Sequence, residues 1–199
     1  MHRTDTALHG NAPDRSSTAL LIIDMINDLE FDEGPQLLKY ARPAALQIAA
    51  LAARLRAASI PIIYANDNFG KWQSDFRAQV DHCLYDGVRG EAIVSPLIPQ
   101  ESDYFVLKPK HSAFYGTTLS ILLDYLQVER LILTGVATDI CVMVTASDAY
   151  MRDFELCVPE DCVAANNLEQ SKSALGWMER VLKADVRRSP QLPLDRDAR

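Results

Sequence analysis

Three side chains in this sequence could together attack and hydrolyse a carbonyl compound: the carboxylate of Asp24, the ammonium of Lys108 and the thiol of Cys141. Each stands where an apolar run stops. Asp24 closes Thr18–Asp24 (TALLIID), Lys108 follows Tyr104–Leu107, and Cys141 lies just beyond Arg130–Thr134 (RLILT), across Gly135-Val136-Ala137-Thr138-Asp139-Ile140. The run before Cys141 reads as a short buried strand, and Val142–Ala149 after it reads as a helix. The thiol then falls in the first helical turn. Unpaired N–H groups point out of such a turn, and the helix dipole favours negative charge there. Both lower a thiol's pKa, and the same N–H groups can hold an oxyanion. The alternative is a small buried core residue, which a free cysteine often is. A carboxylate could take the thiol proton, and an ammonium could stabilise the thiolate. Lys110 rivals Lys108 for the second role, but it lies two residues further into a loop and is less fixed.

The elements that must position these groups alternate between strand and helix. Thr18–Asp24, Pro61–Ala65, Tyr104–Leu107, Leu131–Thr134 and Glu155–Val158 read as strands, with Asp185–Arg187 as a sixth at the edge. A helix from Pro43 carries Ile48, Leu51, Ala52 and Leu55 on one face at i, i+3, i+4, i+7. Gly116-Thr117-Thr118 opens another, with Leu119, Leu122, Leu123 and Leu126 at the same spacing, and Leu168–Leu182 is the last. Alternation with apolar strands predicts an α/β fold of three layers, α/β/α, with a mostly parallel six-stranded, Rossmann-like sheet. Ligands of such sheets bind beyond the carboxyl ends of the strands, where the three reactive side chains fall. Asn66–Asp103 shows little regularity and reads as a substrate loop or subunit contact.

The residues around these positions resemble a known family. Asp24 in LLIIDMINDLEF, Lys108 in VLKPKHSAFYGTTL, and Cys141 in LILTGVATDICVMVTASDAYMRDFELCVPEDCVAA resemble the isochorismatase-like cysteine hydrolases, from about Thr18 to Val186. The resemblance implies an Asp24–Lys108–Cys141 triad, a cis peptide at Val136–Ala137, an oxyanion hole from the N–H groups of Ala137 and Cys141, and the strand order 3-2-1-4-5-6. That order sets the third strand two positions from the first, roughly 10 Å away, for the Lys108 stem to span. The implied chemistry is cleavage of a C–N bond in a small amide, carbamoyl or ureido compound through a thioester on Cys141. Asp24 would serve as base, then as acid, then as activator of water. Isochorismatase proper lacks the cysteine and cleaves a vinyl ether, so Cys141 favours amide-type substrates. Nicotinamidases of the family carry an Asp-x-His…His metal site after the second strand. Here that stretch reads Asn66-Asp67-Asn68-Phe69-Gly70-Lys71-Trp72, so no metal and no cofactor is expected. The alternatives are a binding protein of this family without catalysis and, after it, vinyl-ether hydrolysis of the isochorismatase type. A phospho-receiver module, suggested by Lys108-Pro109, lacks a suitably placed phosphoacceptor aspartate.

Phe69, Trp72 and Phe114 are candidate substrate-binding residues, Phe114 being equally suited to the core. His111 reads as a surface histidine, and Cys83, Cys157 and Cys162 as structural. The chain's 199 residues divide into a polar N-terminal arm (1–17), a hydrolase domain (18–188) and a C-terminal tail (189–199). A net charge of −7 argues against nucleic acid or an anionic membrane as partner. No apolar run is long enough to span a bilayer. The absence of a signal segment and of C-x-x-C pairing points to a cytoplasmic protein with free thiols. The expected partners are a small-molecule substrate and further copies of the chain, as a dimer or tetramer.

Overall fold

The computed structural model describes residues 15–68 and 75–193. A parallel sheet is built from β1 (Thr18–Ile23), β2 (Ile62–Asp67), β3 (Tyr104–Lys108), β4 (Arg130–Val136) and β5 (Glu155–Cys157), in the order β3-β2-β1-β4-β5. Every residue of β1 and β4 is buried, as expected of central strands covered on both faces. Alternate side chains of β1 enter different cores. Leu20 and Ile22 pack on one side with α1 (Gly34–Ala57), α2 (Phe76–Tyr85) and α3 (Glu91–Val94). Ala19, Leu21 and Ile23 pack on the other with α4 (Leu119–Leu126), α5 (Met143–Tyr150) and α6 (Leu168–Leu182). Among the described residues no helix is long and apolar enough to cross a membrane.

The structure corrects several expectations. α1 begins at Gly34, with Pro35 in its first turn, and runs through Pro43. A proline inside a helix removes one hydrogen bond and crowds the preceding turn. Pro43 lies on the exposed side, where the orphaned carbonyl can meet water, while the buried face continues through Leu37, Ala41, Ala44 and Ala45. Asn66–Asp103 contains α2 and α3, with the Asp75 side chain accepting the Arg77 N–H at the start of α2. The predicted sixth strand is reduced to one bridge between Asp185 and Cys157, beside β5. A two-residue strand, β6 (Val163–Ala164), pairs instead with the end of β4. The first part of the predicted tail is fastened down: Leu192 is buried in the core, and the Ser189 hydroxyl donates to Asp161.

β1 and β4 lie side by side, so the chain reverses its direction of travel across the sheet between them, and a crevice opens at their carboxyl ends. The backbones meet closely there. Gly135 has φ +111°, and a Cβ on it would sit 2.0 Å from the Ile23 carbonyl oxygen. Only glycine admits both the conformation and the approach.

Candidate active site

The crevice collects the three predicted side chains. Asp24 still donates its N–H to the Ala65 carbonyl, then turns out of β1 with φ 53°. This left-handed conformation is uncommon for residues other than glycine, and aspartate is among those that tolerate it. One carboxylate oxygen accepts the Asp67 N–H at 2.7 Å, and the other lies 2.8 Å from Lys108 Nζ. Lys108 ends the third strand, with β2 between it and Asp24. Its stem crosses the end of β2, whose last residue, Asp67, is its register partner. The span that the strand order demanded is thus closed by a lysine side chain and a backbone N–H.

Lys108 is fully buried. An ammonium out of water is costly unless paired and hydrogen-bonded. Nζ meets three acceptors: Asp24, the Lys110 carbonyl at 3.2 Å and Cys141 Sγ at 3.6 Å. The Lys110 side chain is exposed, and its carbonyl is what the site uses.

Cys141 lies in a π-helical turn, Thr138–Val142, that leads into α5. The Val136–Ala137 bond before it is cis. The Ala137 carbonyl accepts the N–H groups of Ile140 and Val142, both at 3.1 Å, with Cys141 between them. Single π turns recur at functional sites because they re-aim one residue of a helix. The thiol is half-buried, close enough to Asp24 for that carboxylate's charge to act on it.

All three groups hold their protons tightly. Burial raises the Asp24 carboxyl above the usual carboxylate range, against the pull of Lys108. Burial opposes the charge of Lys108, but its neighbours, Asp24 first among them, together outweigh it and the ammonium titrates higher than usual. Burial, then the charge of Asp24, pushes the Cys141 thiol up to about 12. This overturns the expectation of a thiol acidified by its helix turn. The dipole and Lys108 do favour the thiolate, but desolvation and a nearby carboxylate oppose them more strongly. At neutral pH the sulfur is a thiol.

Other residues support the site without having been predicted. The Asn66 side chain is fully buried and pairs with both the N–H and the carbonyl of Ile26, fixing the chain just after Asp24. The Ser112 hydroxyl donates to Asp148 on α5 and accepts the Phe114 N–H, and the Ala113 N–H donates to Thr145 Oγ1. These bonds clip the loop after Lys108 to the helix after Cys141. Both residues stand inside the family-like motifs, but their pairing is not visible until the two motifs meet. His111, expected on the surface, is exposed yet places Nδ1 3.7 Å from Cys141 Sγ.

Phe114 is buried in the core, against Phe154 and beneath the Arg152 guanidinium. Phe69 and Trp72 lie outside the described residues. Among the described residues, no group of three or more His, Cys, Asp or Glu side chains is placed to hold a metal ion.

The sequence profile of the isochorismatase domain matches residues 18–187. An uncharacterized isochorismatase family protein, YaaI of Bacillus subtilis, is 43% identical over 178 residues, covering 89% of this chain and 97% of that one. Among solved structures, N-carbamoylsarcosine amidase from Thermoplasma acidophilum is 28% identical with a TM-score of 0.66, covering 89% of this chain and 99% of that one. Pyrazinamidase/nicotinamidase from Streptococcus mutans is 29% identical with a TM-score of 0.68, covering 85% and 99%. With its profile, strand order and relatives in agreement, this chain belongs to the isochorismatase family.

Proposed function

We propose that this chain is a cysteine hydrolase that cleaves the C–N bond of a small amide, carbamoyl or ureido compound through a thioester on Cys141. The observation that carries this reading is the meeting of Asp24, Lys108 and Cys141 at one strand-end crevice. The two related solved structures are an amidase of a carbamoyl compound and an amidase of ring amides, which supports the substrate class.

The charge state suits a nucleophile activated only when substrate arrives. The thiol keeps its proton at rest, beside a carboxylate whose own proton affinity is raised. Asp24 takes that proton as sulfur attacks the carbonyl carbon, and Lys108 stabilises the growing negative charge. The N–H groups of Ala137 and Cys141 receive the carbonyl oxygen as it becomes an oxyanion. Asp24 then protonates the departing nitrogen, the C–N bond breaks, and the thioester remains. Water completes the cycle.

A panel of small amides, carbamoyl and ureido compounds, with ammonia release as readout, tests this reading. Turnover of at least one compound by the wild-type chain, and none by Cys141→Ala, is the expected result. Equal turnover by both would remove the covalent mechanism. Binding without turnover by the wild-type chain would favour the alternative of a binding protein.

A further inference from the structure

Given the charge-stabilising role proposed for Lys108, on which this rests, we infer that Asp148 on α5 is a positioning residue for the reaction. Through Ser112 it holds the Lys110 carbonyl, and that carbonyl aims the ammonium at the sulfur. An ammonium has three protons to donate. In Lys108 one meets Asp24 at 2.8 Å and one meets the Lys110 carbonyl at 3.2 Å. The third is left for Cys141 Sγ, at 3.6 Å. Lys108 is fully buried, so bulk water does not stand in for a lost acceptor. The direction of the third proton therefore depends on where the Lys110 carbonyl is kept.

That carbonyl lies in a short span pinned at both ends. At the near end the Lys108 carbonyl accepts the Asn68 N–H at 3.1 Å. Pro109 follows, with φ fixed by its ring. At the far end the buried Ser112 donates its hydroxyl to Asp148 and accepts the Phe114 N–H. The Ala113 N–H adds a second tie to α5, through Thr145 Oγ1 at 3.0 Å. Thr145 and Asp148 are three residues apart and share one face of the helix. Asp148 is itself oriented: Arg152 Nη1 donates to its Oδ1 at 3.2 Å, and Oδ2 accepts from Ser112. The loop that aims the ammonium is thus fastened to the helix that follows the thiol. Loss of the Asp148 bond leaves the Thr145 tie, so the loop stays against α5 while the Lys110 carbonyl loses its fixed place. A small misplacement of this kind is enough to slow chemistry at a distance.

The test is alkylation by iodoacetamide, followed at Cys141 by mass spectrometry from about pH 7 to about pH 9, where only the thiolate reacts. No knowledge of the natural substrate is needed. Asp148→Ala and Ser112→Ala should each react about tenfold more slowly than wild type at every pH, the effect of one pKa unit on the thiolate fraction. Slowing is the informative direction. Removing a carboxylate by itself eases ionisation of a nearby thiol, and a loosened loop uncovers it, so both of those effects speed alkylation. Asp148→Asn keeps an oxygen that can accept the Ser112 hydroxyl, and it should stay within about twofold of wild type. Ser112→Ala combined with Asp148→Ala should be no slower than either alone, because both remove the same bond.

Unchanged or faster alkylation in the two single variants, whatever their melting temperatures, would overturn the inference and leave the bond a structural tie. Asp148→Asn as slow as Asp148→Ala would overturn it as well, since charge and not the bond would then matter. So would additive slowing in the double variant. Lys108→Ala separates the two levels of the reading. If it alkylates like wild type, the proposed role of Lys108 fails and that of Asp148 falls with it. If Lys108→Ala is slow and Asp148→Ala is not, only the role of Asp148 fails.

Discussion

Two thiols in this protein sit beside a cation. Cys141 Sγ lies 3.6 Å from Lys108 Nζ. Cys157 Sγ accepts from Arg130 at 2.9 Å through Nη2 and 3.3 Å through Nε. By contact alone Cys157 has the better claim to be an activated thiolate: its partner is closer, bidentate and always charged. Yet Cys157 is 3% exposed, in the core as the last residue of β5, and burial holds its thiol above the ordinary range despite Arg130. Cys141 is half-buried, at the carboxyl end of the sheet, with a carboxylate and a histidine also at hand. A cation is therefore no sign of a nucleophile. The sulfur must also be reachable, and it must have somewhere to send its proton. Arg130 serves the opposite purpose, as a buried guanidinium that uses a thiol and the Pro193 carbonyl to satisfy its donors.

The largest expected effect is a loss of turnover of roughly 10⁴-fold or more in Cys141→Ala, as when a nucleophile that acts as a unit with its base is removed. Cys157→Ala should keep wild-type turnover on the same substrate. A damaged Cys157 variant with normal folding would break the distinction between the two thiols.

Lys108→Ala should lower kcat by about 10²-fold or more, the cost of deleting a positioned charge-stabilising group. It should also destabilise the fold by about 3–5 kcal/mol in denaturant unfolding, because Asp24 is left buried and unpaired. Lys110→Ala should change neither, since the site uses only its carbonyl. Comparable damage from both lysines would show that the loop, rather than the ammonium, matters.

Alkylation by iodoacetamide should single out Cys141 over Cys83, Cys157 and Cys162, which are all buried. Its rate should climb about tenfold per pH unit from about pH 7 to pH 10 without levelling, because only the thiolate reacts and the thiol is pushed up to about 12. A plateau near pH 8 would contradict that shift. Asp24→Asn removes the charge that opposes ionisation, so it should alkylate faster at a given pH even as its turnover falls. A nucleophile acidified by Asp24 would do the reverse.

The smallest effect concerns the other pair. Cys157→Ala should cost about 1–3 kcal/mol of stability, the penalty for leaving a buried donor short of a partner. Thermal unfolding at unchanged activity would register it.

Much of the fold could be read from local pattern. Continuous apolar runs marked the central strands, and helical spacing placed α4 at its observed position, because burial of one face repeats with the period of the element. The failures were places where distant contacts outweigh local preference. Pro43 looked like a helix start and lies within α1, whose buried face extends both ways from it. Asp185–Arg187 looked like a strand, but only Asp185 bridges Cys157. Phe114 was open between pocket and core, and its neighbours Phe154 and Arg152 lie some 40 residues away in the chain.

By itself the sequence determined the alternation of strand and helix, and so the placing of Asp24, Lys108 and Cys141 at carboxyl strand ends. These follow from periodicity and turn chemistry, which neighbouring residues carry. Only the tertiary structure decided how the groups act on one another. It brought Lys108 across the end of β2 to Asp24, set His111 over the sulfur, and tied Ser112 to Asp148. It also reversed the expected direction of the thiol's pKa. Proton affinity depends on how much water is excluded and which charges stand within a few ångströms. Both are properties of segments that meet only when the sheet has assembled.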